Sequence, residues 1–185
     1  MTEFVDELIS AQKETKRLKD FSPLQKIIVD QLIVFTSPGA MVNPHIFKRT
    51  ELKGWATEKD WRDAPDWMNS TQWKLYELTY YLKPLPKSPL IVLNKKPCES
   101  FAPPNENCPD PNKLGWFNRW VVYPGDFLCD TYGACQVQPA ERTLIYYSHD
   151  GKNDAKIYYF GLRPEKGHWV LHSIYMEDTA GHSGV

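Results

Sequence analysis

Apolar and polar positions divide this chain into a helical first half and a strand-rich second half. Val5, Leu8, Ile9 and Leu18 put one apolar stripe along a helix over 2–19. Lys13, Lys16, Arg17 and Lys19 gather toward its C-terminal end, where cations complement the helix dipole. A second helix is expected to start at Ser22, because a hydroxyl N-cap, Pro23 at the first helical position and Gln25 in a capping box are all start signals. Leu24, Ile27, Ile28, Leu32 and Phe35 recur at helical spacing, Ile33 and Val34 widen the face, and Ser37-Pro38-Gly39 stops it. Residues 41–50 read as a short strand or hairpin, followed by a turn at Gly54. A third helix is expected over 70–82, capped by Asn69 with Gln72 in a box-like position and ended by Pro84 and Pro86.

Residues 90–93 read as a buried strand. The loop 94–113 holds five prolines and four asparagines, a length and composition that suit a functional or stapled segment. A five-stranded antiparallel meander follows over 116–123, 127–137, 143–149, 155–162 and 168–176, with Pro124-Gly125 as a type II turn and a frayed tail over 177–185. One domain is expected over 1–185, with a helical half at 1–82, the strand and Pro/Asn-rich loop at 83–113 and the meander at 114–176. The fold class is α+β, three helices packed on a curved antiparallel sheet. In element order this resembles the cone-shaped nuclear transport factor 2-like folds. That family hosts isomerases, dehydratases, immunity proteins and binding modules, so the resemblance implies no single activity and carries no residue over. Trp120, Gly125 and Cys135-Gln136 are similar to a stretch in the lipocalin domain of violaxanthin de-epoxidases, but the roughly 60 residues after the loop are too few for an eight-stranded barrel.

Composition narrows the class. Apolar residues are 42% of the 185 and aromatics 14%, enough for a packed core and against wholesale disorder. Lys and Arg total 22 against 23 Asp and Glu, a net charge of -1 that supplies no broad basic field, so no nucleic-acid partner is expected. No apolar run approaches the roughly 18–20 residues of a membrane span, so no membrane partner is expected either. The first nineteen residues are charged throughout and lack a signal peptide's apolar stretch, which favours a soluble, cytoplasmic protein.

Four cysteines, Cys98, Cys108, Cys129 and Cys135, are either reduced thiols or two disulfides with three pairings open. On one straight strand Cys129 and Cys135 would stand about 20 Å apart, so their pairing requires a turn, which Tyr132-Gly133 could supply. Spacings of C-x9-C and C-x5-C are not those of a zinc ribbon, and no His/Cys metal set is apparent. Neither a Gly-rich phosphate loop nor a nucleophile elbow occurs, and no cofactor is expected.

Hairpin arithmetic yields one catalytic candidate. With His149 facing Ala155 and Leu162 facing His168, Tyr146, Tyr158 and His172 form a row across three strands, with Leu144, Phe160 and Val170 in another row on that face. The row reads either as an imidazole base with phenols to orient a substrate oxygen, or as a packed aromatic ladder. Arg119 opposite Asp130 reads as a cross-strand ion pair, and His45 as a loop histidine. Trp55, Trp61, Trp67 and Trp73, crowded among charged residues, read either as an interface for a protein or a small hydrophobic or aromatic ligand, or as core. The function expected is a non-catalytic binding or protein-interaction module, of the immunity or inhibitor type in one version. The alternative is a small cofactor-free lyase or isomerase built on Tyr146, Tyr158 and His172.

Overall fold

The computed structural model describes residues 1–35, 45–63, 70–96, 114–127, 140–149 and 155–178. Helix α1 (Thr2–Leu18) turns Phe4, Val5, Leu8 and Ile9 inward, and Lys19 ends it in a left-handed conformation, φ 51°, with its N–H donated to the Thr15 carbonyl. Leu18, expected in the apolar stripe, is exposed instead.

The second helix does not form. One 3-10 turn spans Ser22–Lys26, and the chain then enters strand β1 (Ile28–Phe35). Five β-branched residues fall between 27 and 34, and such side chains lose rotamer freedom in a helix but pack well on a sheet. Both faces of β1 bury apolar side chains, Leu32 and Val34 in one core and Ile33 in another. A strand buried on both faces has a nearly continuous apolar sequence, which also satisfies a helical pattern. Ser22 is not the cap. Asp20 accepts hydrogen bonds from the Ser22 N–H at 3.2 Å, the Ser22 hydroxyl at 2.8 Å and the Gly54 N–H at 2.6 Å. Burial pushes the Asp20 carboxyl up, but those bonds outweigh it and hold its pKa below the ordinary value.

Strand β2 (His45–Lys48) pairs antiparallel with β1. A short helix, α2 (Glu58–Arg62), precedes α3 (Thr71–Tyr81), where the Ser70 hydroxyl accepts from the Trp73 N–H at 3.0 Å, so Ser70 is the cap; Asn69 lies outside the described residues. Strands β3 (Leu90–Val92), β4 (Trp120–Pro124), β5 (Arg142–His149), β6 (Ala155–Glu165) and β7 (His168–Asp178) complete one sheet in the order β2-β1-β7-β6-β5-β4-β3.

Among the described residues the fold is therefore a mixed α/β arrangement of three α-helices and seven strands. The sheet is not antiparallel throughout, because β1 runs parallel to β7 and β3 parallel to β4. Strand β3 is an edge, with Val92 61% exposed, rather than the buried strand expected. The two neighbours of β4 in the sheet are β3 and β5. Strand β4 pairs directly with β5, Val122 opposite Leu144, and the Gly125 N–H donates to the Glu141 carbonyl at 2.9 Å. Residues 128–137 and Asp130 with them lie outside the described set.

The sheet separates two cores. Helices α1 and α3 cover the first, which holds Trp120, Leu144, Tyr146, Tyr158, Phe160 and Ile174. The second holds Ile33, Tyr123, Tyr147 and a stack in which Phe127 lies 5.0 Å from Tyr159 and 5.9 Å from Tyr175 between ring centres. Register in the last hairpin is set by two local features. Lys166 (φ 49°) and Gly167 (φ 84°) make a two-residue turn with both residues left-handed, so β6 continues through residues expected to be loop. Leu162 then faces Leu171 while Gly161 faces Ser173, leaving His172 as the extra residue of a β-bulge.

Gly161 is required at that bulge, since a Cβ there would lie 2.1 Å from the Ser173 hydroxyl oxygen and 3.0 Å from the Ala140 Cβ. Gly161→Ala should cost about 1–3 kcal/mol in urea unfolding. Adding Ser173→Ala, which removes the nearest clashing atom, should recover much of that loss, whereas equal stabilities for the single and double variants would refute the assignment. Asp20→Ala, which leaves two backbone donors without their acceptor, should cost about 1 kcal/mol in the same assay.

Candidate cleft at the break between strands β1 and β7

Parallel strands β1 and β7 are in register at Ile28–Leu171 and again from Ile33–Ser173, so β1 advances five residues while β7 advances two. The two backbones cannot stay paired over that interval. A cleft of about 390 Å³ lies there, lined by Val29, Asp30, Gln31 and Ile33 from β1, by Arg163, Pro164 and Glu165 from β6, and by His172 from the bulge in β7. This volume falls within the range of small-molecule sites.

The bulge places His172 at the cleft, where only 7% of it is exposed and its Nδ1 is buried with no hydrogen-bond partner among the described residues. Burial pushes the imidazole pKa down and the Arg163 guanidinium pushes the same way, against a smaller opposing pull from Asp126. The ring is accordingly neutral at pH 7. Arg163 is half-buried and makes no ion pair among the described residues, while Asp30 and Glu165 are exposed at the rim. One fixed cation, two carboxylates and a neutral imidazole thus line an open, mainly polar cleft.

Only part of the expected catalytic row assembles. Tyr146 and Tyr158 are directly paired and buried in the helix-covered core. Burial raises the Tyr146 pKa, with a smaller opposing effect from its hydrogen bond to Ser88. Tyr158 faces Met176 on β7, not His172, which is four residues away, about 13 Å along a strand. The tight turn and the bulge shift the register, and His172 opens beside Ile33 of the second core. Leu144 does face Phe160, but Phe160 faces Ile174 and Val170 faces Arg163.

Among the tryptophans, Trp55 is half-buried and stacks on Phe21 at 5.0 Å, against the helix-covered core. Trp73 lies 6.0 Å from Tyr76. Trp61 falls in α2 but its side chain, like Trp67, lies outside the described residues, as do Cys98, Cys108, Cys129 and Cys135. His45 is no loop residue: it opens β2, and its Nε2 meets Glu77 of α3 at 2.5 Å. Among the described residues no three His, Cys, Asp or Glu side chains converge as a metal set, and no helix is long and apolar enough to cross a membrane. Arg163 and residues 29–31 are what sequence reasoning missed. Their signals were Gly161 inside a strand, Lys166-Gly167 as a hairpin dipeptide and the β-branched run beginning at Ile27.

No protein-family model, curated protein or solved structure matches this chain.

The folded chain holds the His172 imidazole below its ordinary 6.5, so on acidification the unfolded chain takes up that proton first. Its contribution to stability is complete above pH 6.5 and is lost as the pH falls through the window below it. Melting temperatures followed from pH 7.5 to about 5 should fall more steeply for the native chain than for His172→Gln. Parallel curves would refute a buried neutral imidazole.

Proposed function

We propose that this protein is a non-catalytic binding module and that the cleft between β1 and the β6–β7 hairpin is its binding surface. The observation that carries this is Arg163: a half-buried guanidinium that forms no ion pair among the described residues lines the cleft beside the rim carboxylates of Asp30 and Glu165. A guanidinium fork without a carboxylate partner is suited to an acidic group brought by a ligand or partner. An immunity- or inhibitor-type protein, with a partner's side chain entering the cleft, is one version. The lyase or isomerase alternative needs Tyr146, Tyr158 and His172 around one substrate, and the pairing of Tyr158 with Met176 weighs against it. The likeness to cone-shaped folds rests on element order alone and carries no part of this proposal.

The test is comparative capture from the native host, with wild-type and Arg163→Ala protein as baits and mass spectrometry of both proteins and small molecules retained. Loss of charge-assisted bonds should reduce retention of at least one species by about 10-fold or more. Identical retained sets on the two baits would overturn the assignment.

A further inference from the structure

The charges at the cleft constrain what it takes, if the cleft is the binding surface as proposed above. Arg163 offers a planar fork of donors suited to a carboxylate. A simple anion, however, would also meet the rim carboxylates of Asp30 and Glu165, which outnumber the single guanidinium. A dianion such as phosphate would be opposed more strongly. A ligand with both signs of charge satisfies both groups. Val29 and Pro164 give the cleft a small apolar surface, and about 390 Å³ suits a molecule of metabolite size rather than a dinucleotide or a folded domain.

We infer that the cleft takes a free α-amino acid with an apolar side chain, its carboxylate on Arg163, its ammonium toward Asp30 and Glu165, and its side chain against Val29 and Pro164. The carboxylate–guanidinium pair fixes orientation, the rim acids select against ligands that lack an amine, and Val29 and Pro164 favour an aliphatic side chain over a charged one.

Three probes separate the parts. Free leucine carries both charges, N-acetyl-leucine lacks the ammonium and leucine amide lacks the carboxylate. Titration of the 15N-labelled full chain to about 10 mM, well above the millimolar affinities expected of a ligand this small, should shift the amides of Asp30, Gln31, Glu165 and His172 with leucine. Each blocked probe should bind about 10-fold more weakly or worse. Arg163→Ala should abolish leucine binding. Asp30→Asn, a conservative change at an exposed position, should weaken leucine while leaving N-acetyl-leucine unchanged, and so keeps the test open if the arginine variant fails to fold. Equal binding of leucine and N-acetyl-leucine, or leucine shifts confined to other residues, would overturn the inference. An absence of leucine binding alongside Arg163-dependent retention of another species would overturn the amino-acid assignment but leave the cleft as a binding surface. With neither Arg163-dependent leucine shifts nor Arg163-dependent retention of any species, both fall.

Discussion

The parallel pairing of β1 with β7 is the constraint on which the rest of this structure depends. It joins a segment near the start of the chain to its last described strand, and the Leu171 N–H donated to the Ile27 carbonyl at 2.6 Å marks where the two meet. Through it β7 becomes an interior strand instead of an edge, and β2 gains a place beyond β1. The pairing also divides the apolar residues of β1 between the two cores. Leu32 and Val34 pack toward α1 and α3, and Ile33 packs with the aromatic stack on the other side. Each such fully buried aliphatic side chain is worth about 1.5–3 kcal/mol relative to exposure, so the strand is held by its faces as much as by its hydrogen bonds.

Two irregularities in that region produce the cleft. The surplus residues of β1 have no partners on β7 between Leu171 and Ser173, and β7 spends its own extra residue there on the bulge at His172. A regular ladder would send successive side chains to opposite faces, whereas the bulge re-aims one of them. Gly161 permits it by leaving the space that the Ser173 side chain occupies. Bulges recur beside functional sites for this reason, and here the bulged residue is also a buried titratable group lining a cavity.

What could be read from the amino-acid order was mostly local. Helix α1, the third helix to within a residue or two and the β5–β6 register that pairs Tyr146 with Tyr158 all follow from nearby signals: a stripe, a polar cap signal at Asn69 one residue before the Ser70 that fills the role, and a loop of fixed length. The failures were long-range. Residues 28–35 satisfy a helical period and a doubly buried strand equally well, and only a partner more than a hundred residues away decides between them. Strand β4 likewise takes β5 as its neighbour rather than the segment just after its own turn. In the last hairpin the dipeptide Lys166-Gly167 outcompetes the longer loop, and that shift of register removed His172 from the tyrosine row and turned it into the cleft. Arg163 belongs to the same stretch, which the longer loop would leave outside the sheet and the tight turn keeps in β6.

The most direct test of this account is nuclear Overhauser spectroscopy on the labelled chain across residues 27–35 and 170–176. Inter-strand contacts should join Val34 to Ile174 and Ile28 to Leu171, with none linking residues 29–31 to β7 in ladder register. A continuous run of contacts from each residue to the third one along through 28–35, the mark of a helix, would contradict the parallel pairing and with it the cleft.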